Sequence, residues 1–116
     1  MTYRLRITRR AKQDRDACFD YILARSPQGA LRWLDAFEAA AAAVLTEPHY
    51  GVAPESEDQE ETIRQKLFGT PHGRTYRLLY IVRDDVIYVI HVRGAGQDVM
   101  AADEIELPDP QEENDS

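Results

Sequence analysis

The chain has 116 residues, which is room for one domain with one core, and its 43% hydrophobic and 30% charged residues are ordinary for a globular protein. No apolar run approaches the roughly 20 residues that span a bilayer, and the charged N-terminus shows no export signal. Residues 103–116 carry seven acids and no Lys or Arg, so the net charge of −7 belongs to the C-terminal end. The rest is about neutral, which argues against strong nonspecific binding to nucleic acid.

The first half of the chain predicts one strand and two helices. Tyr3–Ile7 alternates apolar and charged residues, which predicts a short strand at the edge of a sheet. Thr8 is placed to cap a first helix. Ser26 and Pro27 supply the cap and first residue of a second helix, which Pro48 ends. The short connection predicts an antiparallel helix hairpin that packs on a sheet. An apolar stripe on the second helix comprises Ala30, Leu34, Phe37, Ala41, Val44 and Leu45.

The second half predicts a three-stranded antiparallel meander. Residues 49–61 are polar and acidic, which indicates a mobile surface loop. Alternating residues around Arg64–Leu67 predict one strand, and the apolar runs Tyr76–Val82 and Val86–Val92 predict a hairpin. The chain is therefore predicted to be an α+β domain with the helices on one face of the sheet.

The predicted domain covers residues 1–106. Asp98 is placed to cap a short helix over Val99–Glu106. Residues 107–116 have no apolar side chain after Leu107 apart from prolines, so they are predicted to form a disordered acidic tail. Truncation after Glu106 is therefore expected to leave the melting temperature nearly unchanged.

Three cations on the middle strands are candidates for a phosphate site. If Phe68 pairs with Thr75, Lys66 lies opposite Arg77, and both share a face with Arg64. The alternative is that all three are solvated charges on a strand surface.

His91 and Arg93 are candidates near the end of the last strand. An imidazole titrates near neutral pH, but the predicted hairpin pairs Leu78 with His91 and places it on the face opposite Arg77. Only a bulge or the strand's end would bring the two together, and the alternative is a structural histidine. Arg93 precedes Gly94-Ala95-Gly96, whose backbone can approach a ligand or partner or can serve only a turn.

The remaining unusual residues predict no cofactor and no metal. His49 and His72 have no companions at metal-ligand spacing, and the chain has no phosphate-binding glycine loop or nucleophile motif. Cys18 is predicted to be a small core residue, and a single cysteine fits a cytoplasmic protein. Trp33 lies off the helical stripe, so it is predicted to cover a loop or to meet a partner.

The order of these elements resembles the RelE/ParE superfamily, which comprises toxins of type II toxin-antitoxin systems often labelled plasmid stabilisation proteins. The resemblance covers residues 3–98. The motifs that carry it are I-T-R-R-A-K-Q-D, the Arg-Ser-Pro step into the second helix, I-R-Q-K-L, Y-R-L-L-Y-I-V-R-D-D, and V-I-H-V-R followed by Gln97-Asp98.

The resemblance implies a cognate antitoxin and one of two activities. In the ribonuclease-type members, basic residues on the middle strands form the site, and these match Arg64, Lys66 and Arg77. An Arg and an aromatic or His near the last strand complete that site, whereas here no Arg or Tyr follows Arg93. This ending is similar to the ParE-like branch, which is not enzymatic and binds DNA gyrase. The alternatives are a ribosome-dependent mRNA interferase, whose partners are the ribosome and mRNA, and a degenerate non-toxic binding module.

Both faces of the predicted hairpin are apolar, and one helix pair covers only one of them. Arg77, Leu79 and Ile81 are predicted to share a face with Tyr88, Ile90 and Val92. We expect an antitoxin segment, or a second copy of the chain in a homodimer, to cover the face that the helices leave open. The predicted contact residues are Leu79, Ile81, Tyr88, Ile90 and Arg93.

Overall fold

The computed structural model describes residues 2–94 and 96–109. Its elements are β1 (Arg4–Ile7), α1 (Arg9–Leu23), α2 (Pro27–Thr46), β2 (Arg64–Gly69), β3 (Thr75–Arg83) and β4 (Val86–Gly94), with short 3-10 turns at Pro54–Ser56 and Ala102–Glu104. This order confirms the predicted α+β class. No helix in these ranges is long and apolar enough to cross a membrane.

The four strands form one mixed sheet in the order β1-β4-β3-β2. β1 runs parallel to β4, and the other neighbours are antiparallel. The edge position predicted for the first strand is confirmed. Between β3 and β4 the chain turns at Asp84, whose φ of 53° is a left-handed conformation that Asp tolerates better than most residues.

Side-chain caps begin both helices where the sequence predicts them. The Thr8 hydroxyl accepts a hydrogen bond from the Ala11 N–H at 3.2 Å, and the Ser26 hydroxyl accepts one from the Gly29 N–H at 3.0 Å. Each bond satisfies one of the N–H groups that a helix start leaves unpaired. Pro27 is the first residue of α2, where its missing N–H has no consequence.

The helix hairpin covers one face of the sheet and forms the larger core with it. Trp33 is only 2% exposed, and its ring packs against Phe37, Phe68 and Tyr76 at centroid distances of 5.5 to 5.9 Å. The prediction that Trp33 covers a loop or meets a partner is wrong, because the buried side of α2 is wider than the predicted stripe. The buried residues of this cluster are Ala11, Trp33, Phe37, Ala40, Ala41, Val44, Phe68, Leu78, Tyr80, Ile87, Val89 and Val92.

The opposite face of the sheet, called the second face below, is covered by the chain itself. Its buried cluster comprises Ala53, Ile63, Leu79, Ile81, Val86, Tyr88, Ile90 and Met100, with Ile105 and Leu107 packed against it. Ala53 comes from the loop that was predicted to be a surface segment, and Glu55 of the same loop is also buried. Residues Met100–Asp109, called the C-terminal strap below, cross this face.

The strap corrects two predictions. A helix was expected over Val99–Glu106, but only the 3-10 turn Ala102–Glu104 forms. Three apolar side chains, Met100, Ile105 and Leu107, pack against the sheet, and the spacing of two between Ile105 and Leu107 suits an extended segment better than a helix. Pro108 is buried as well. The prediction of a disordered tail from residue 107 is therefore wrong for Leu107 and Pro108. Residues 110–116 of the predicted tail lie outside the described ranges.

Two strand registers differ from prediction by one residue, and each difference moves a candidate side chain to another face. β2 pairs Leu67 with Arg77 and Lys66 with Leu78, so Arg77 does not share a face with Lys66. The β3–β4 hairpin keeps its predicted register near the turn, but a bulge between Leu79 and Tyr80 then pairs Leu79 with His91. The extra residue in β4 also moves Val92 into the helix-side core.

Candidate functional site

Arg64 and Lys66 lie on the helix side of β2, apart from the other candidate cations. They face Tyr80 and Leu78 across the strand pair, and both of those residues belong to the helix-side core. Arg64 Nη1 donates to the Tyr50 carbonyl at 2.7 Å, and Lys66 Nζ lies 4.7 Å from the Tyr50 ring centroid. Each cation therefore contacts the segment after α2, and the expected three-cation cluster does not form.

Arg77 lies on the second face in an ion pair with Glu55. Its Nη1 and Nη2 donate to the two carboxylate oxygens at 2.8 and 2.7 Å, and Nη1 also donates to Gln65 Oε1 at 3.0 Å. The Arg77 side chain is 12% exposed and that of Glu55 is fully buried. This bidentate geometry is the strongest form of an Arg–carboxylate contact, and it occupies the end of the guanidinium that would otherwise bind phosphate.

Glu55 joins three segments of the chain. It belongs to the loop before β2, it holds Arg77 of β3, and its Oε2 accepts the Met100 N–H of the strap at 3.1 Å. Burial acts to raise the pKa of Glu55, but the hydrogen bonds from Arg77 and Met100 outweigh it and lower that pKa to about 2. The carboxylate is therefore ionised throughout the physiological range.

His91 is fully buried, and both of its ring nitrogens have partners. Nε2 accepts the Glu106 N–H at 3.0 Å, which requires a lone pair on Nε2. Nδ1 lies 3.3 Å from Asp14 Oδ2 and therefore carries the proton that it donates. A histidine held in one tautomer between α1 and the strap has no free nitrogen with which to exchange a proton with a substrate.

Asp14 is the centre of this second network. Its carboxylate accepts from Arg10 Nε at 2.9 Å and from the Val92 N–H at 3.1 Å, in addition to His91. Burial acts to raise the pKa of Asp14, but the hydrogen bonds from His91 and Arg10 outweigh it, so the pKa is lowered. Arg10 also donates a hydrogen bond from Nη1 to Glu106 Oε2 at 2.6 Å. The network connects α1, the outer edge of β4 and the strap.

Arg83 is also paired within the chain, at the other end of β3. Its Nε and Nη2 donate to the two Glu61 oxygens at 2.8 and 2.6 Å, and Nη1 donates to the Pro108 carbonyl at 2.7 Å. Arg83 was not among the predicted site residues, yet it joins the strap to the loop before β2, as Glu55 joins the strap to Arg77.

Arg93 differs from Arg77 and Arg83, the other two arginines of the central strands. Its Nη2 donates to the Asp98 carbonyl at 2.8 Å, and its Nε is buried with no acceptor. No carboxylate of the described residues lies within ion-pair distance of it. The positive charge of Arg93 is therefore not neutralised by the part of the chain that the structure describes.

The four apolar residues predicted to contact a partner lie under the loop and the strap. Leu79 and Ile90 have no exposed surface, and Ile81 and Tyr88 are 1% and 3% exposed. A partner would reach them only by displacing the chain's own segments. Of the five predicted contact residues, Arg93 alone keeps accessible surface beyond a few per cent.

Cys18 is a protonated thiol, and the described residues form no metal site. Burial, reinforced by the charge of Asp14, raises the pKa of the Cys18 thiol to about 11, so the thiol stays protonated at neutral pH. Within residues 2–94 and 96–109, no group of three or more His, Cys, Asp or Glu side chains is arranged to hold a metal ion.

Sequence reasoning missed the acids that pair with these candidates. Glu55 is one of five acids in a polar loop, and Asp14 is one of several charges on α1. Neither position has a local pattern that distinguishes it from its neighbours. The one available signal for Glu55 is the short apolar pair Val52-Ala53 just before it, which indicates that the loop touches the core.

A strand, a helix hairpin and an antiparallel meander, with arginines on the sheet face away from the helices, define a small α+β domain. The family model for the ParE toxin of the type II toxin-antitoxin system, parDE, matches residues 5–99. The chain therefore belongs to this family of toxins, and the family implies an antitoxin partner. Searches among curated proteins and among solved structures gave no match. The C-terminal strap begins just beyond the matched range.

Proposed function

We propose that this toxin is not an enzyme and acts by blocking a protein target, for which the family resemblance favours DNA gyrase. The observation that carries the proposal is the buried, bidentate Glu55–Arg77 ion pair. A ribonuclease would need that guanidinium free to stabilise the charge that develops on phosphate.

The remaining candidates do not replace Arg77. Arg64 and Lys66 lie on the other face of the sheet, and His91 has neither nitrogen free. General acid–base catalysis requires a group within hydrogen-bond reach of the substrate, and none of these three meets Arg77 on an accessible surface. Arg93 alone provides one cation, which is enough for binding but not for a catalytic set.

The two activities can be separated by inducing the chain in a bacterial host. Transcript-end mapping should show intact messages, while plasmid isolated from the same cells should show altered supercoiling. Purified gyrase assayed with the purified chain then tests whether gyrase is the target. Both candidate targets lie in the cytoplasm, where we place this toxin.

Lys66→Ala is the matched control for the ribonuclease alternative, because Lys66 is a candidate phosphate ligand outside both ion-pair networks. We expect the variant to arrest growth as the unchanged chain does, at equal protein level. Cleavage inside translated codons that Lys66→Ala abolishes would contradict the proposal. Unimpaired growth with the unchanged chain would instead indicate a degenerate, non-toxic module.

A further inference from the structure

Two arginines face each other across the central strands of the second face. The register aligns Leu67 of β2, Arg77 of β3 and Arg93 of β4 in one row, and directly opposed residues project to the same side of a sheet. Like charges placed opposite each other destabilise a strand pair unless an anion lies between or beside them. Glu55 supplies one carboxylate and gives both oxygens to Arg77.

Arg93 therefore keeps a charge that one more carboxylate would neutralise. Its hydrogen-bond partner, the Asp98 carbonyl, is a neutral group, and its Nη1 makes no hydrogen bond to a described residue. The buried Nε without an acceptor shows that part of this guanidinium is already withdrawn from water. A charge that is partly desolvated and unpaired gains more from a carboxylate than a fully solvated one does.

Two exposed apolar side chains lie on the β3 side of this charge. Leu67 is 51% exposed and ends the row on the β2 side. Val99 is 54% exposed and lies in the segment that crosses the row, between Asp98 on Arg93 and Met100 on Glu55. We call Leu67, Arg93 and Val99 the open end of the sheet. A cation at one end of the row, with two apolar side chains to the same side of it, suits an acidic side chain that has apolar neighbours along its own segment.

A nucleic acid suits the open end less well. The loop that holds Glu55 also carries Glu57, Asp58 and Glu60, and the whole chain has a net charge of −7. A polyanion would meet these acids, and binding through phosphates requires several clustered cations. A single carboxylate on a protein segment would avoid that repulsion.

We propose that the open end of the sheet binds an acidic segment of the cognate antitoxin, with one carboxylate on the Arg93 guanidinium and apolar side chains on Leu67 and Val99. The partner follows from membership of the toxin family and is independent of the mechanism of toxicity proposed above.

The test is the affinity of the separately purified antitoxin for Arg93→Gln and Arg93→Lys variants. Glutamine keeps a polar amide but has no charge, so binding should weaken by about tenfold or more, as for loss of one partner of a desolvated charge pair. Lysine keeps the charge but not the planar fork, so its loss should be smaller. Arg74→Gln is the matched control, because Arg74 is an exposed cation in the loop between β2 and β3. It should change affinity by less than about twofold.

Circular dichroism and the melting temperature establish that each variant is folded before binding is measured. Leu67→Ser gives a second measure, since it removes an exposed contact without touching an ion pair, and it should also weaken the complex. Equal affinity of Arg93→Gln and the unchanged chain would overturn the proposal. So would a short single-stranded RNA that binds the unchanged chain and loses affinity on Arg93→Gln while antitoxin binding is retained. Neither result depends on whether gyrase or mRNA is the toxin's target.

Discussion

The covered part of the second face and its open end belong to the same sheet and carry the same residue types, yet they differ in charge balance. Under the loop and the strap, Arg77 and Arg83 each meet a carboxylate through two hydrogen bonds, and His91 uses both ring nitrogens. At the open end, Arg93 donates one hydrogen bond, to the carbonyl of Asp98. The difference shows that a strand arginine keeps an unpaired charge where the segment that crosses it brings no carboxylate.

The covering segments decide which arginines stay free, and they come from distant parts of the sequence. Glu55 is 22 residues from Arg77, and Glu106 lies 15 residues beyond His91. The strap starts where the match to the toxin family ends, at residue 99. The shared family region therefore supplies the sheet, whereas residues beyond that region cover much of its second face.

The largest effect should come from breaking the buried ion pair. Glu55→Ala leaves the Arg77 guanidinium buried without its anion and the Met100 N–H without its acceptor. Removing one partner of a buried pair typically costs about 3 to 5 kcal/mol of unfolding free energy. Urea denaturation followed by circular dichroism measures this loss.

The control for Glu55→Ala is Glu57→Ala, two residues later in the same loop. Glu57 is exposed and makes no ion pair within the described residues, so its replacement should change the unfolding free energy by no more than about 0.5 kcal/mol. Similar losses for the two variants would mean that the Glu55–Arg77 pair does not form in solution.

A core truncation compares the two regions directly. Ile90 is fully buried under the strap, so Ile90→Ala should destabilise the fold by about 2 to 5 kcal/mol. Leu67 is 51% exposed at the open end, so Leu67→Ala should stay within about 1 kcal/mol. A small loss at Ile90 would indicate that the second face is open and that a partner can reach it without displacing the strap.

The elements of this fold follow from local chemistry, which is why the sequence predicts them. Thr8, Ser26 and Pro27 define helix starts through hydrogen bonds that span three residues. Strand positions follow from alternation over short windows. The register of the strand pairs does not follow from this alternation. A shift of one residue leaves the sequence pattern almost unchanged but moves Arg77 to the other face of the sheet. The bulge that realigns His91 has no clear local signal either.

The candidate site was less predictable than the fold. The sequence identifies four candidate side chains, Arg64, Lys66, Arg77 and His91. It does not identify their partners, because these come from segments that are distant in the sequence. Trp33 was misplaced because a stripe drawn through Leu34 and Phe37 omits a neighbour that is equally buried. Arg93 was identified from its place at a strand end beside glycines. The sequence did not show that Arg93 has no carboxylate partner among the described residues.

Acid should destabilise the covered part through Glu55. Its pKa is about 2 in the folded chain and near the ordinary 4.5 when unfolded, so the unfolded state binds the proton first as pH falls. The stabilisation is fully present above pH 4.5 and is lost progressively toward pH 2. Between pH 4.5 and 3 this single group should remove about 1 to 2 kcal/mol. The pKa of Asp14 is also lowered in the folded chain, so its protonation destabilises the fold in the same way as pH falls.

The measurement is the unfolding free energy of the unchanged chain and of Glu55→Gln at several pH values. The glutamine variant is less stable at neutral pH, but it has no carboxylate to titrate, so its stability should fall less steeply between pH 4.5 and 3. Parallel profiles would show that the Glu55 pKa is not lowered by folding, which would contradict the bidentate pair with Arg77.

The smallest effect concerns the end of the strap, where the structure changes the expectation drawn from sequence. Truncation after Glu106 removes Leu107, which packs against the second face, and Pro108, whose carbonyl accepts from Arg83. Partial burial of one leucine and one charged hydrogen bond predict a loss of about 1 to 2 kcal/mol and a lower melting temperature. Truncation after Asp109 keeps both contacts and should leave the melting temperature nearly unchanged. The two truncations differ by only three residues, so their total charges are similar and their difference reports the contacts of Leu107, Pro108 and Asp109. Equal melting temperatures would mean that the strap ends at Glu106, and that its attachment rests on Met100, Ile105 and the hydrogen bond from the Glu106 N–H to His91.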